Sequence, residues 1–133
     1  CQALALKGVY LDSARVDFLP HHLCHAGSAY YCSGFSEASI LTLDGSGEEY
    51  STFMWHGSAD QIKALEGIKL PHSLGAFYAT FTEFLGFKAY QDEGKLMGLS
   101  SYGQYSEAIQ TKLDQILAYD PQSGRFKINP YMR

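Results

Sequence analysis

Clustered positive charge is missing from this sequence. Its 133 residues hold 10 Lys and Arg against 14 Asp and Glu, and no basic run occurs. Phosphate backbones bind Lys and Arg gathered on one face, so a nucleic-acid partner is excluded. Long apolar runs are missing too. Each is interrupted by Thr, Glu, Gly or Lys, so no stretch has the pattern of a bilayer span, and none has that of a secretory signal. Cysteine is scarce: Cys1, Cys24 and Cys32 make an odd number without a disulfide-framework spacing. That predicts reduced thiols and a cytoplasmic location. Cys24 and Cys32 are read as small core residues, with a metal-ligating thiol at Cys24 as the alternative. The chain also opens on Cys-Gln rather than Met and stops at Asn129-Pro130-Tyr131-Met132-Arg133 without a terminating signal. It therefore reads as a piece of a longer protein, a single partial domain over residues 1–133.

What is present concentrates between Pro20 and Gly47. His21, His22 and His25 fall within five residues of a predicted helix running roughly from His22 to Cys32. Residues four apart share one helix face, so His21 and His25 stand one above the other. Ser39-Ile40-Leu41-Thr42-Leu43 then has the β-branched, apolar character of a buried strand. Asp44 follows at its C-terminal end, where open α/β sheets collect ligands. Two imidazoles and a carboxylate suit iron, zinc or manganese and leave positions open for substrate. The plainer alternatives are a hydrogen-bonded histidine pair and an ordinary Asp-Gly hairpin turn. Glycines at 45 and 47, around Ser46, leave backbone N–H groups free to cradle a phosphate across that turn.

The remainder predicts an α/β fold. A helix tail spans Cys1 to Gly8, and a strand runs from Arg15 to Leu19. Tyr50 to His56 pairs with Ser39 to Leu43 across the D-G-S-G-E turn, and Ile62 to Leu70 is a third strand ending at Pro71. His72 or Ser73 caps a helix whose Leu74, Phe77, Tyr78, Phe81, Phe84 and Leu85 form an apolar core stripe, closed by Gly86. Gly75 in its first turn costs helix stability unless something must approach closely, and a nucleotide at the helix N-terminus is the candidate. Asp92 to Leu99 reads as a charged loop, in which Lys95 meets either a substrate phosphate or its neighbours Asp92 and Glu93. An amphipathic helix from Tyr105 to Tyr119 ends at Asp120-Pro121-Gln122-Ser123-Gly124, before a strand from Arg125 to Ile128.

Several blocks in order, H-H-L-C-H-A-G-S-A-Y-Y, L-T-L-D-G-S-G-E, L-P-H-S-L-G-A-F-Y, L-G-F-K and D-E-G-K-L-M-G-L-S-S-Y-G, resemble the O-carbamoyltransferases of nodulation-factor and antibiotic biosynthesis. The resemblance runs from about Phe18 to Gly103. It implies a central fragment of an N-terminal domain with the actin-like, ribonuclease-H-like ATPase fold, here incomplete, with a mixed sheet and flanking helices. It further implies a C-terminal domain, outside this chain, that makes carbamoyl-AMP from carbamoyl phosphate and ATP. The N-terminal domain then passes the carbamoyl group to a hydroxyl of a small-molecule acceptor, using a divalent metal, typically iron. By resemblance His21, His25 and Asp44 are metal ligands, Gly45, Ser46 and Gly47 the phosphate-facing turn, and Gly75 the glycine of the nucleotide-side helix. His22 is a candidate general base on the acceptor hydroxyl, or a residue behind the metal ligands.

Gly27 stands where the family usually has a small residue such as Ala, and Ser100-Ser101-Tyr102-Gly103 where it often has Ala-Pro-Tyr-Gly. The fourth metal ligand, the adenine pocket and the C-terminal domain are absent from the chain, so the isolated piece is expected to be catalytically silent. Two other readings remain. A tRNA threonylcarbamoyl transferase relative would need acids where Pro71 and His72 stand, and a Glu at Ala76. A non-catalytic metal-binding or assembly module would use exposed sheet edges to form a homodimer.

Overall fold

The computed structural model describes residues 17–129. The predicted helix over Cys1 to Gly8 lies outside them, as does the start of the strand predicted over Arg15 to Leu19; residues 17–20 are irregular. The chain then forms helix α1 (His21–Tyr31) and strands β1 (Glu37–Gly47), β2 (Tyr50–Ser58) and β3 (Gln61–Lys69). Helices α2 (Leu74–Phe84), α3 (Glu93–Ser100) and α4 (Glu107–Ile116) follow, and strands β4 (Leu117–Asp120) and β5 (Arg125–Ile128) close it. The fold is mixed α/β. Its sheets differ from the mixed sheet expected: β1-β2-β3 is an antiparallel meander, and β4-β5 a separate antiparallel pair. Among the described residues no helix is long and apolar enough to cross a membrane.

Helix α1 lies on the meander through His22, Ala26 and Tyr30, three buried residues at four-residue spacing. Small Ala26 lets the helix approach the sheet closely, and Trp55 buries on β2. That stripe leaves Cys24 and Cys32 on other faces, so both thiols are exposed rather than in the core. Tyr30 is pinned at its far end, its hydroxyl lying 2.9 Å from the Ser36 carbonyl and 3.1 Å from that of Ala59. Its ring covers Gly57, where an added Cβ would stand 2.7 Å from ring carbons. Because the ring is buried and held, it cannot give way. Gly57→Ala is therefore expected to destabilise the chain by about 1–3 kcal/mol, through overpacking. The midpoint of urea unfolding checks this.

The first hairpin turns later than its sequence suggests. Leu43 pairs with Thr52 and Gly47 with Tyr50, so Asp44, Gly45 and Ser46 bulge opposite Ser51 alone. The reversal itself falls at Glu48-Glu49, with Glu48 in the left-handed region (φ 57°). Glu48 also ties the turn to α1, its carboxylate accepting from the His21 backbone N–H at 3.3 Å. A bulge lets backbone leave the ladder and re-aim a side chain, and here the side chain re-aimed is Asp44.

On α2, Ser73 is the cap, its Oγ accepting from the Ala76 N–H at 3.0 Å, and Gly86 follows the helix at φ 85°. The buried residues of this helix are Ala79 and Thr82 rather than the aromatic stripe. Phe77 and Phe81 face sideways, lining with Leu96 and Leu113 an apolar pocket of about 240 Å³ between the three later helices. That packing explains why residues 93–100 are helical, not the loop expected. Leu96 has an apolar seat against α2, and such tertiary contact outweighs the poor propensity of Gly94 and Gly98. Helix α4 stops at Ile116, short of Tyr119, because Leu117–Asp120 pair with Arg125–Ile128 across the Pro121–Gly124 turn.

Candidate metal centre

His21 and His25 project from the first turns of α1 beside its buried stripe, and the bulge carries Asp44 up to meet them. Nε2 of His21 lies 2.6 Å from Asp44 Oδ2, Nε2 of His25 lies 3.2 Å from the same oxygen, and the two Nε2 atoms stand 3.0 Å apart. Donor atoms bound to one first-row ion at about 2.1 Å are separated by roughly 3.0–3.4 Å, the edges of an octahedron or tetrahedron. The observed triangle is close to that size, and its donors, two imidazole nitrogens and one carboxylate oxygen, are the set such ions take. The three side chains also remain part-exposed, which a substrate-binding metal site requires. The residues present therefore fit a divalent metal.

The carboxylate is held ionised. The hydrogen bond from His21 is the main cause of its lowered pKa, opposed by partial burial and supported by the Gly45 N–H and by His25. Oδ1 accepts from that Gly45 N–H at 2.6 Å, which leaves Oδ2 facing the histidines.

Two close approaches fix the strand side of the site. A Cβ on Gly47 would stand 2.7 Å from the His21 ring and 2.8 Å from that of His22. Glycine there admits the histidines. A Cβ on Gly75 would meet Gly45 N at 2.6 Å and the Asp44 carbonyl carbon at 2.7 Å. The close approach expected at Gly75 is thus real, and what approaches is the Asp44–Gly45 backbone. Ser73 fastens the same junction, its hydroxyl reaching the carbonyls of Gly45 at 2.7 Å and Asp44 at 3.1 Å.

The other candidates lie apart. His22 is buried, with Nδ1 2.9 Å from Thr42 Oγ1 and Nε2 3.2 Å from the Tyr50 carbonyl. Both ring nitrogens are occupied, so the geometry favours a structural place behind the ligands over a base facing an acceptor. The Gly45 N–H donates to Asp44 Oδ1, and a Cβ built on Gly45 would stand 3.2 Å from the Tyr90 ring. Ser46 is exposed on the bulge. Lys95 pairs with Asp92 at 2.8 Å on α3, the second of its two expected partners. Sequence reasoning gave Thr42, Trp55 and Glu48 no role at the site. For Thr42 a signal was available: it is the polar residue on the inward face of an otherwise apolar strand.

Comparison with known proteins agrees with the motif blocks. The family described as carbamoyltransferase N-terminus matches residues 2–133. An uncharacterised Synechocystis protein is 41% identical over 112 residues, covering 84% of this chain and 18% of that protein. Nodulation protein NolNO of Sinorhizobium fredii is 41% identical over 96 residues, 72% of this chain and 14% of its own length. Nodulation protein NolO of Bradyrhizobium diazoefficiens is 40% identical over 83 residues, 62% of this chain and 15% of its own. The chain thus spans less than a fifth of each of these relatives. A match across nearly every residue places it plainly: this chain belongs to the carbamoyltransferase N-terminus family.

Proposed function

We propose that this chain is the metal-bearing part of an O-carbamoyltransferase, the central piece of an N-terminal domain with the actin-like, ribonuclease-H-like fold. The observation that carries the reading is the convergence of His21 Nε2, His25 Nε2 and Asp44 Oδ2. The helix supplies the two neutral donors and the strand bulge the anionic one. A divalent ion held there, iron by family resemblance, supplies Lewis acidity toward a carbonyl or phosphoryl oxygen.

In the reaction proposed for the whole protein, the acceptor hydroxyl oxygen attacks the carbamoyl carbon of carbamoyl-AMP. The carbamate ester forms, the bond to the phosphate oxygen breaks, AMP leaves and the hydroxyl proton is released. Within this chain, His21 and His25 hold their side of the site open toward solvent and Asp44 stays ionised between them. Ser73 and Gly75 keep the Asp44 backbone in place. Carbamoyl-AMP is made from carbamoyl phosphate and ATP in a domain beyond this chain, so the parent protein is the object to assay.

Asp44→Asn in the full-length protein, supplied with carbamoyl phosphate, ATP and a hydroxylated acceptor, tests the reading. Formation of carbamoyl-AMP is expected to persist while transfer to the acceptor falls by about 100-fold or more, because a lost ligand costs more than a lost supporting residue. Transfer at the parent rate would refute the role of Asp44. A parallel loss of both half-reactions would refute the division of labour between the domains.

A further inference from the structure

We infer that Thr42 and Trp55 act through His22 as positioning residues, setting the roll of α1 that aims His21 and His25 at Asp44. This rests on the metal reading above and adds to it a buried device that fixes the ligands' direction.

The device can be read atom by atom. The Tyr50 carbonyl, 3.2 Å from His22 Nε2, only accepts hydrogen bonds, so Nε2 carries the proton. A neutral imidazole then presents a lone pair at Nδ1, and Thr42 Oγ1, 2.9 Å away, donates to it. The indole Nε1 of Trp55 only donates, and it reaches Thr42 Oγ1 at 3.1 Å. It thereby fills a lone pair of the hydroxyl and leaves the hydroxyl proton for His22. The competing acceptor, the Phe53 carbonyl, lies farther off at 3.4 Å. Trp55 to Thr42 to His22 to the Tyr50 carbonyl is one directed chain, and its three side chains are 6%, 5% and 2% exposed.

Packing alone does not call for such a chain. A phenylalanine or leucine at position 22 would fill the space with no polar atoms to satisfy, and buried polar networks are costly when any member is unpaired. What the network adds is direction. An apolar contact lets a helix roll a little about its axis, whereas a ring hydrogen-bonded at both nitrogens does not. At the roughly 5 Å radius of a helix surface, a roll of about 20° moves an atom by about 2 Å. Metal ligation tolerates only about 0.2 Å. His21 adjoins His22, and His25 lies one turn on, so the residue that fixes the roll fixes both ligands.

The test compares the parent chain with Thr42→Val and Thr42→Ser, using zinc alone as the metal probe. Long-range ¹H–¹⁵N NMR of the metal-free chain reads the His22 tautomer, which no merely space-filling role would constrain. The parent and Thr42→Ser are expected to show a single Nε2–H tautomer, and Thr42→Val a mixture of the two. In zinc titrations Thr42→Val is expected to bind about 10–100-fold more weakly, the usual cost of losing a supporting hydrogen bond. Thr42→Ser should stay within about 3-fold of the parent. Trp55→Phe removes the indole donor while keeping an aromatic ring, at the cost of a small cavity. It should weaken zinc in the same direction, and it decides the matter if Thr42→Val fails to fold. An Nδ1–H tautomer in the parent, or zinc affinity in Thr42→Val and Trp55→Phe equal to the parent's, overturns the inference and leaves the metal reading standing. A parent that binds no zinc, yet shows the Nε2–H tautomer, overturns the metal reading itself and the positioning role with it.

Discussion

Alanine at position 75 is expected to destabilise the chain by about 1–3 kcal/mol and to weaken metal binding about 100-fold. Helix propensity alone predicts the opposite sign, because glycine inside a helix costs roughly 0.5–1 kcal/mol relative to alanine. The close packing decides which effect wins. The added methyl would stand 2.6 Å from Gly45 N, 2.7 Å from the Asp44 carbonyl carbon and 2.8 Å from its oxygen. All three are backbone atoms, so no side-chain rotation relieves the clash. Relief by lifting the first turn of α2 breaks the Ser73 bonds to the Asp44 and Gly45 carbonyls. Relief by pushing back the bulge draws Asp44 Oδ2 away from the histidines. Urea unfolding and zinc titration of the same variant separate the two costs. A stabilised chain with unchanged zinc affinity would show that α2 does not press on the site.

The double substitution His21→Ala, His25→Ala removes two of the three donors and is expected to abolish stoichiometric metal binding. Structural zinc sites spread ~10–16 kcal/mol over four ligands, so losing two should weaken affinity by at least ~1,000-fold. The same variant carries a signature that needs no metal. The His21 hydrogen bond is the largest cause of the lowered Asp44 pKa. A carboxylate whose pKa is lower folded than unfolded contributes stability that is present above its ordinary pKa, and that is lost as pH falls through the folded value. The double variant should therefore lose metal-free stability at neutral pH, with the difference from the parent fading on acidification below the ordinary carboxylate range. Unfolding midpoints measured at a series of pH values check the trend. A difference that persists undiminished below the ordinary carboxylate range would contradict it.

The grouping of His21, His25 and Asp44 was legible in the sequence because its signals are local. Four-residue spacing puts two histidines on one helix face in any context, and an acid closing an apolar strand is conspicuous. The way Asp44 reaches the histidines was not legible. It depends on a bulge, and the Asp-Gly-Ser-Gly run reads equally well as the turn itself; only the pairing of Gly47 with Tyr50 moves the reversal to Glu48-Glu49. Gly75 announced that something comes close but not what, since the Asp44–Gly45 backbone lies thirty residues back in the chain. The two thiols and the helix at residues 93–100 were misread for a shared reason. Both depend on which neighbour each face meets: Cys24 turns away from the sheet, whereas Leu96 finds Phe77 and Phe81. His22 reads from the sequence either as a base on the acceptor hydroxyl or as a residue behind the proposed ligands, and its partners Thr42 and Tyr50, distant in the chain, favour the second.

Titrating the purified chain with zinc while following the imidazole resonances of its five histidines tests the metal centre most directly. His21 and His25 should shift together and saturate near one equivalent. His56, paired with Glu37, and His72, bonded to the Ile128 backbone, should not move. Saturation through any other pair, or no shift of His21 and His25 at all, would contradict the site.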